Sequence, residues 1–189
     1  MIAAILSLCS ALAVPPPAAR QLAHDNVVIL LDASGSMEKP MGGSSGMQKM
    51  DAAKHAIAEV LQRVPGTTQA GLLVFSGRNK RDDWVFPLGP RDDQRLIGAL
   101  NSITADGGTP LGTYLKIAAD RLLEQRKAQS GYGTYRMLVV TDGQADKDDA
   151  PNIDRYLPDI LSRGIVVDVI GVAMDEEHQL ARRVHSYRR

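Results

Sequence analysis

The chain has 189 residues, of which 44% are hydrophobic and 23% charged, so it can bury one sizeable core and is too short for two ordinary domains. Its 22 Lys and Arg residues balance its 22 Asp and Glu residues, and a net charge of zero gives no long-range attraction to nucleic acid or to an anionic membrane. Aromatic residues make up only 4%, which disfavours a sugar-binding cleft or a channel for single-stranded nucleic acid.

The N-terminal segment differs from the rest of the chain in having no charged residue before Arg20. Residues 2–14 form an apolar run that is too short to cross a bilayer as a helix. The small residues Ala11 and Ala13 then fit the pattern that precedes a signal-peptidase cleavage site. This pattern predicts a signal peptide and linker over residues 1–25, export to the periplasm or secretion, and no membrane insertion after cleavage.

Two other interpretations of this segment stay open. Because no basic residue precedes Arg20, the usual positive start of a signal peptide is missing, and an uncleaved apolar tail is one alternative. A lipid-attachment signal at Cys9 is the other, although Leu8 stands where such signals normally carry a small residue. Cleavage after Ala13 would remove the single cysteine, and the mature chain would then have no disulfide and no thiolate.

From Asn26 onward, short apolar runs alternate with longer amphipathic segments, a pattern typical of a parallel sheet covered by helices. Strands are predicted at residues 27–31, 70–75, 84–86, 137–141 and 165–172. Helices are predicted at residues 47–64, 91–103, 109–129, 153–162 and 176–184, with an irregularity at Pro158. The short polar connection between the second and third strands predicts an antiparallel hairpin at one edge of the sheet. The predicted fold class is therefore α/β.

The first predicted helix shows the helical periodicity clearly. Apolar side chains recur every three or four residues along one face, at Met50, Ala53, Ile57, Leu61 and Val64. A Pro-Gly pair at residues 65–66 then ends the segment. The pattern predicts a crossover helix that packs one face on the sheet.

The first predicted strand runs directly into D-A-S-G-S at residues 32–36. In open α/β sheets, ligand sites form beyond the carboxyl ends of the central strands. Asp32, Ser34 and Ser36 place one carboxylate and two hydroxyl groups there, and Gly35 lets the backbone turn tightly. Taken alone, the segment also fits a turn with capping side chains.

Two further segments supply matching oxygen donors. In D-G-G-T-P at residues 106–110, Thr109 fits a helix N-cap followed by Pro110 at the first helical position. Capping and metal binding are compatible, because a hydroxyl group has two lone pairs. In T-D-G at residues 141–143, Asp142 emerges beside Asp32 if the first and fourth strands are neighbours. The three segments in this order are more specific than any one of them.

This set, D-x-S-x-S followed by G-G-T and T-D-G, resembles the metal-ion-dependent adhesion site of von Willebrand factor A domains, a fold shared with integrin I domains. The resemblance extends from Asn26 to the end of the chain. It implies a doubly wound, Rossmann-like and mostly parallel sheet with one antiparallel edge strand and helices on both faces. It also implies that hydroxyl groups bind the metal directly while carboxylates act largely through water. The implied site residues are Asp32, Ser34, Ser36, Thr109 and Asp142.

Neutral hydroxyl ligands leave a divalent ion in need of an anionic oxygen, so an acidic side chain of a protein or peptide partner would complete its coordination. An all-oxygen ligand set favours Mg2+, with Mn2+ and Ca2+ as alternatives, over Zn2+. The histidines lie far from the three segments in sequence, and we expect them at the surface. They are His24, His55, His178 and His185.

The end of the chain departs from the family's pattern. Family members normally carry a further edge strand and a closing C-terminal helix, whereas this sequence stops at residues 187–189, where that strand would begin. We therefore expect a von Willebrand factor A domain over residues 26–189 that lacks its last strand and C-terminal helix.

The function predicted from the sequence is an exported, metal-dependent protein-binding module rather than an enzyme. The main alternative is a Mg2+-dependent phosphohydrolase in which Asp32 attacks phosphorus. Against it, Ser34 stands where phosphatases with an aspartyl nucleophile carry a second aspartate, and the sequence offers no convincing general acid. A nucleotide site at Gly42, Gly43 and Gly46 is weaker still, because these glycines lie too far beyond the strand for a tight phosphate turn.

Overall fold

The computed structural model describes residues 24–42, 46–174, 178 and 180–188. The predicted signal peptide and linker lie outside these residues, apart from His24 and Asp25. The strands in the described part of the chain are β1 Asn26–Ala33, β2 Gln69–Ser76, β3 Trp84–Gly89, β4 Tyr135–Thr141, β5 Val166–Gly171 and β6 Ser186–Arg188. The α-helices there are α1 Lys49–Arg63, α2 Asp93–Ser102, α3 Leu111–Ala128 and α4 Ala150–Ser162, and a short 3₁₀-helix, Gly35–Glu38, follows β1.

The strands form one sheet in the order β3-β2-β1-β4-β5-β6. β1 pairs in parallel with both β2 and β4, and β5 and β6 continue the parallel pairing towards one edge. β3 runs antiparallel to β2 at the opposite edge. The predicted α/β class, the mostly parallel sheet and the antiparallel edge hairpin are confirmed.

The hydrophobic core has one layer on each face of the sheet. All eight residues of β1 are buried, which explains the unbroken apolar run in the sequence. Val28 and Leu30 belong to the layer covered by α3 and α4, while Ile29 and Leu31 belong to the layer under α1 and α2. The helices therefore lie on both faces, as a doubly wound sheet requires.

Two helices illustrate how well the periodicity predicted these elements. In α1 the buried side chains are four of the five apolar residues that predicted it, Met50, Ala53, Ile57 and Leu61. The fifth, Val64, lies one residue beyond the helix end. α4 continues through Pro158, although the sequence predicts an irregularity there.

Within the described ranges, no helix combines the length and the apolar character needed to span a bilayer.

The helix predicted at residues 176–184 is not found in its described part, and residues 175–177 and 179 lie outside the description. Residues 180–184 form turns, in which Arg183 N–H donates to the Leu180 carbonyl at 2.9 Å. His178 is 2% exposed, so its expected surface position is wrong, and its Nδ1 accepts the N–H of Leu180 at 3.0 Å. Such a local side chain to backbone bond competes with helical bonding. Of the other histidines, His55 and His185 are exposed and His24 is partly exposed.

Candidate functional site

The predicted site residues lie at the carboxyl ends of neighbouring strands. β1 and β4 pair in parallel with Leu31 opposite Val140, so the residues that follow, Asp32 and Thr141, stand side by side. Asp142 comes next in the chain. The adjacency of the two strands, on which the predicted meeting of Asp32 and Asp142 depended, is confirmed.

Asp32 is completely buried, and both of its carboxylate oxygens accept hydrogen bonds. Oδ1 accepts the backbone N–H of Ser34 at 2.8 Å, and Oδ2 accepts the hydroxyl of Thr141 at 2.5 Å. Burial raises the pKa of Asp32 above its ordinary value, the hydrogen bonds counteract part of that rise, and the nearby charge of Asp142 adds to it. A cation beside Asp32 would stabilise the carboxylate that burial disfavours.

Ser34, Ser36 and Asp142 form a continuous chain of oxygen atoms. The hydroxyl oxygens of the two serines lie 3.0 Å apart, and Ser36 Oγ donates to Asp142 Oδ1 at 2.7 Å. The 3₁₀-helix places Ser36 there, because it turns the backbone immediately after β1. The other carboxylate oxygen of Asp142, Oδ2, accepts the ammonium group of Lys49 at 2.8 Å. Ser36 thus connects two other predicted ligand side chains, those of Ser34 and Asp142.

The loop before α3 brings Thr109 to the same edge of the sheet. Asp106 N–H donates to the Ala33 carbonyl at 2.8 Å, and Gly35 N–H donates to the Gly107 carbonyl at 2.9 Å. Gly107 has a φ of 88°, a left-handed conformation that glycine adopts without a Cβ clash. These backbone bonds attach the Thr109 loop to the end of β1, beside the serine turn.

Asp146 fixes the backbone of Thr109 from both sides. The N–H of Thr109 donates to Asp146 Oδ2 at 2.8 Å, and its carbonyl accepts the N–H of Asp146 at 3.0 Å. Thr109 is 9% exposed. These contacts bind the loop before α3 to the loop after β4, so the two segments that carry Thr109 and Asp142 hold a fixed relation to each other.

The expectation that Thr109 caps the following helix is wrong. α3 has Pro110 at its N-cap position, and no side chain at that position accepts a hydrogen bond. The carboxylate of Asp149 serves the helix start instead, accepting the backbone N–H of Gly112 at 2.5 Å and both the N–H and the hydroxyl of Thr113. A negative charge is favourable at this end of a helix, because the first N–H groups have no partner within the helix.

Three residues that contact the predicted ligands were not themselves predicted: Thr141, Asp146 and Lys49. Thr141 and Asp146 lie close to Asp142 in sequence, and this proximity is a signal that could have found them. Lys49 lies in the first turn of α1, and nothing in the sequence pattern connects it with the T-D-G segment.

The donor set is unlike a carboxylate-rich or imidazole-rich metal site. Across the described ranges, no three His, Cys, Asp or Glu side chains form a group that could hold a metal ion. The predicted set consists of two carboxylates and three hydroxyl groups, which are hard oxygen donors suited to Mg2+ rather than Zn2+. The ammonium group on Asp142 shows that this set of side chains accommodates positive charge. The residues present therefore fit a hard divalent cation.

Residues 27–144 match the family model described as von Willebrand factor type A domain. This match covers more than half of the 189 residues. The chain belongs to the von Willebrand factor type A domain family. In this A domain, the matched segment runs from β1 to just beyond Asp142 and contains all of the predicted ligands.

Two relatives of the A domain come from Bacillus subtilis (strain 168). The uncharacterized protein YwmC is 29% identical over 165 residues, an alignment that covers 82% of this chain and 69% of YwmC. The uncharacterized protein YwmD is 27% identical over 184 residues, covering 89% of this chain and 77% of YwmD.

Solved structures with a similar fold include proximal thread matrix protein 1 from the mussel byssus and the pilus adhesin SpaC from Lactobacillus rhamnosus GG. Their TM-scores are 0.62 and 0.58, at 18% and 16% sequence identity. The alignments cover 88% and 80% of this chain but only 42% and 25% of those two chains. At these identities the likeness shows the fold alone.

Proposed function

We propose that the A domain is an exported protein-binding module that holds a divalent cation at the carboxyl ends of β1 and β4. A carboxylate of a protein or peptide partner would bind through that cation. The observation that carries the proposal is the oxygen chain of Ser34, Ser36 and Asp142 beside the buried Asp32. Membership of the von Willebrand factor type A domain family fits a protein-interaction module.

The ligand residues divide into neutral and charged groups. Hydroxyl oxygens would contact the cation, and the two aspartates would balance its charge. Mg2+ suits this set, and Mn2+ and Ca2+ are alternatives. When bound, the cation supplies a Lewis-acidic position for an anionic oxygen from outside the domain. The residues that would hold it are Ser34, Ser36, Thr109, Asp32 and Asp142.

Export is the second part of the proposal. It is supported by the signal-peptide pattern over residues 1–25, with its apolar run and small residues before the prolines. Two proteins of similar fold are a matrix protein of the mussel byssus and a pilus adhesin. A byssus thread and a pilus both lie outside the cell, which supports export of this domain. The mature domain would then be periplasmic or secreted.

The contacts of Asp32 favour binding over phosphohydrolysis. A nucleophilic carboxylate must present an accessible oxygen to phosphorus. Asp32 is completely buried, and its two oxygens accept hydrogen bonds from Ser34 and Thr141. This environment suits a residue that orients its neighbours and balances the charge of a cation.

Titration calorimetry with Mg2+ tests the metal site. Thr109→Ala should abolish measurable Mg2+ binding and leave the fold intact, because Asp146 holds the backbone of Thr109 rather than its hydroxyl. Asp32→Ala should also abolish Mg2+ binding. Thr104→Ala is the matched control, since it makes the same change at an exposed position of the same loop and should bind Mg2+ like the wild type. Undiminished binding by both site variants would remove the basis of the assignment.

A peptide array tests the partner chemistry. Each peptide is displayed in an aspartate form and in a matched asparagine form, and the domain is applied once in Mg2+ and once in EDTA. We expect retention on aspartate peptides in Mg2+ alone, because the asparagine amide supplies no anionic oxygen. Equal retention on both forms, or retention that persists in EDTA, would place the binding surface elsewhere on the domain.

A further inference from the structure

Lys49, the first residue of α1, forms a shielded ion pair with Asp142. Its ammonium group donates to Asp142 Oδ2 at 2.8 Å, and the two side chains are only 15% and 1% exposed. The backbone N–H of Lys49 donates to the Lys39 carbonyl at 3.0 Å, which fixes the start of the helix against the segment after β1. Partly buried pairs of this kind are screened much less by salt than surface pairs.

The helix itself does not favour a lysine at this position. The first turn of a helix carries partial positive charge and stabilises acidic side chains rather than basic ones. Lys54, on the same helix, directs its ammonium group to the carbonyl oxygens of Asn101 and Ile103 instead of to a carboxylate. The placement of the Lys49 ammonium is therefore explained by its partner Asp142 and not by α1.

Both oxygens of Asp142 have partners in the structure. Oδ1 accepts the hydroxyl of Ser36, and Oδ2 accepts the ammonium of Lys49. We infer that Lys49 is the internal counter-ion of Asp142 and opposes the binding of a divalent cation at this site. The inference rests on the proposed metal site, and it assigns to Lys49 the control of that site's affinity for the cation.

Charge gives the reason for the opposition. The ammonium of Lys49 neutralises the charge of Asp142 and donates to its Oδ2. A divalent cation bound to the same carboxylate would lie a few ångströms from the Lys49 ammonium and would be repelled by it. Removing the ammonium leaves both negative charges to the cation, and at such short range this should tighten binding by about tenfold.

Titration of Mg2+ into the full chain tests the inference with four variants. Lys49→Met and Lys49→Gln remove the charge, and the glutamine can still donate to Asp142. Lys49→Arg keeps the charge. Lys127→Met removes one positive charge at an exposed position at the C-terminal end of α3, far from the candidate site. We expect binding about tenfold tighter for the Met and Gln variants at position 49 and wild-type affinity for the other two.

Thermal unfolding gives a second readout. In EDTA, Lys49→Met should unfold at a lower temperature than the wild type, because Asp142 loses its buried counter-ion. Saturating Mg2+ should then raise the unfolding temperature of Lys49→Met more than that of the wild type, since ligand binding stabilises the folded state according to its affinity.

The outcomes separate this inference from the proposed function. If the wild type binds Mg2+ and the folded Met and Gln variants bind it equally or more weakly, Lys49 does not oppose the cation and the inference alone is overturned. If neither the wild type nor any Lys49 variant binds Mg2+, the metal site and the inference both fall. Circular dichroism identifies a variant that does not fold, and Lys49→Gln then decides in place of Lys49→Met.

Discussion

Replacing Thr141 by valine removes one hydroxyl group from the most deeply buried part of the candidate site. Thr141 Oγ1 donates to Asp32 Oδ2 at 2.5 Å, and both residues are completely buried. Valine is branched at Cβ like threonine and fits a strand equally well, so no cavity forms and β4 keeps its conformation. The substitution therefore isolates the contribution of the hydrogen bond.

The contact sets the expected magnitude. A hydrogen bond to a charged group contributes about 1.5–3 kcal/mol, and a buried acceptor that loses its donor cannot recover a bond to water. The same hydroxyl also accepts the N–H of Gly143 at 3.3 Å. We expect Thr141→Val to lower the free energy of unfolding by about 2–3 kcal/mol, which lowers the unfolding temperature of a domain of this size by roughly 5–10 °C.

Urea and thermal unfolding in EDTA measure this loss without any contribution from bound metal. Thr141→Ser is the matched control, because it keeps the hydroxyl and loses only a methyl group, so it should be more stable than Thr141→Val. In the Mg2+ titration, Thr141→Val should bind more weakly, since Asp32 is no longer oriented by Thr141. A wild-type unfolding midpoint for Thr141→Val, or a serine variant less stable than the valine variant, would refute the reasoning.

The remaining predictions concern the packing of α3 and two titrating groups. Gly112→Ala should cost about 1–3 kcal/mol in urea unfolding, because the new Cβ would lie 2.7 Å from Asn152 Cβ where α3 meets α4; an unchanged midpoint would contradict this. Burial raises the pKa of Asp149, but hydrogen bonds from Thr113 and Asn152 outweigh this effect and lower the pKa below 3.8. The carboxylate therefore stabilises the folded domain above pH 3.8, and this contribution is lost as the pH falls through the folded pKa. For Asp149→Asn, the free energy of unfolding should therefore change less steeply with pH below pH 3.8 than it does for the wild type. Burial lowers the pKa of His178 from 6.5, so its contribution to stability is complete above pH 6.5 and decreases below it as His178 of the unfolded chain takes up a proton. Urea unfolding at a series of pH values should show a smaller decrease for His178→Leu than for the wild type.

The strands and the site segments could be predicted because each is encoded locally. β1 is a largely apolar strand buried on both faces, Asp32 is its second-last residue, and the serines follow it without a break. Asp142 follows β4 in the same way. Because parallel strands share one carboxyl edge, the neighbouring positions of β1 and β4 suffice to bring these side chains together.

The contacts that hold the site could not be predicted, because they join residues distant in the chain. Lys49 reaches Asp142 across 93 positions, and Asp149 reaches the start of α3 across 37. The Thr109 cap was predicted from a Thr-Pro pattern that is correct for an isolated helix start, and a carboxylate from another segment takes that place instead. The predicted last helix is not found in its described part, where the buried His178 accepts the backbone N–H of Leu180, a local contact that the apolar periodicity does not indicate.

The double hydrogen bond between Thr109 and Asp146 has a mechanical consequence. The carbonyl of Asp146 also accepts the N–H groups of Asp149 and Ala150, at 2.9 and 2.8 Å, where α4 begins. Asp149 in turn binds the first turn of α3. A tensile load applied at Thr109 would therefore be distributed over the starts of two helices and would not be carried by a single loop.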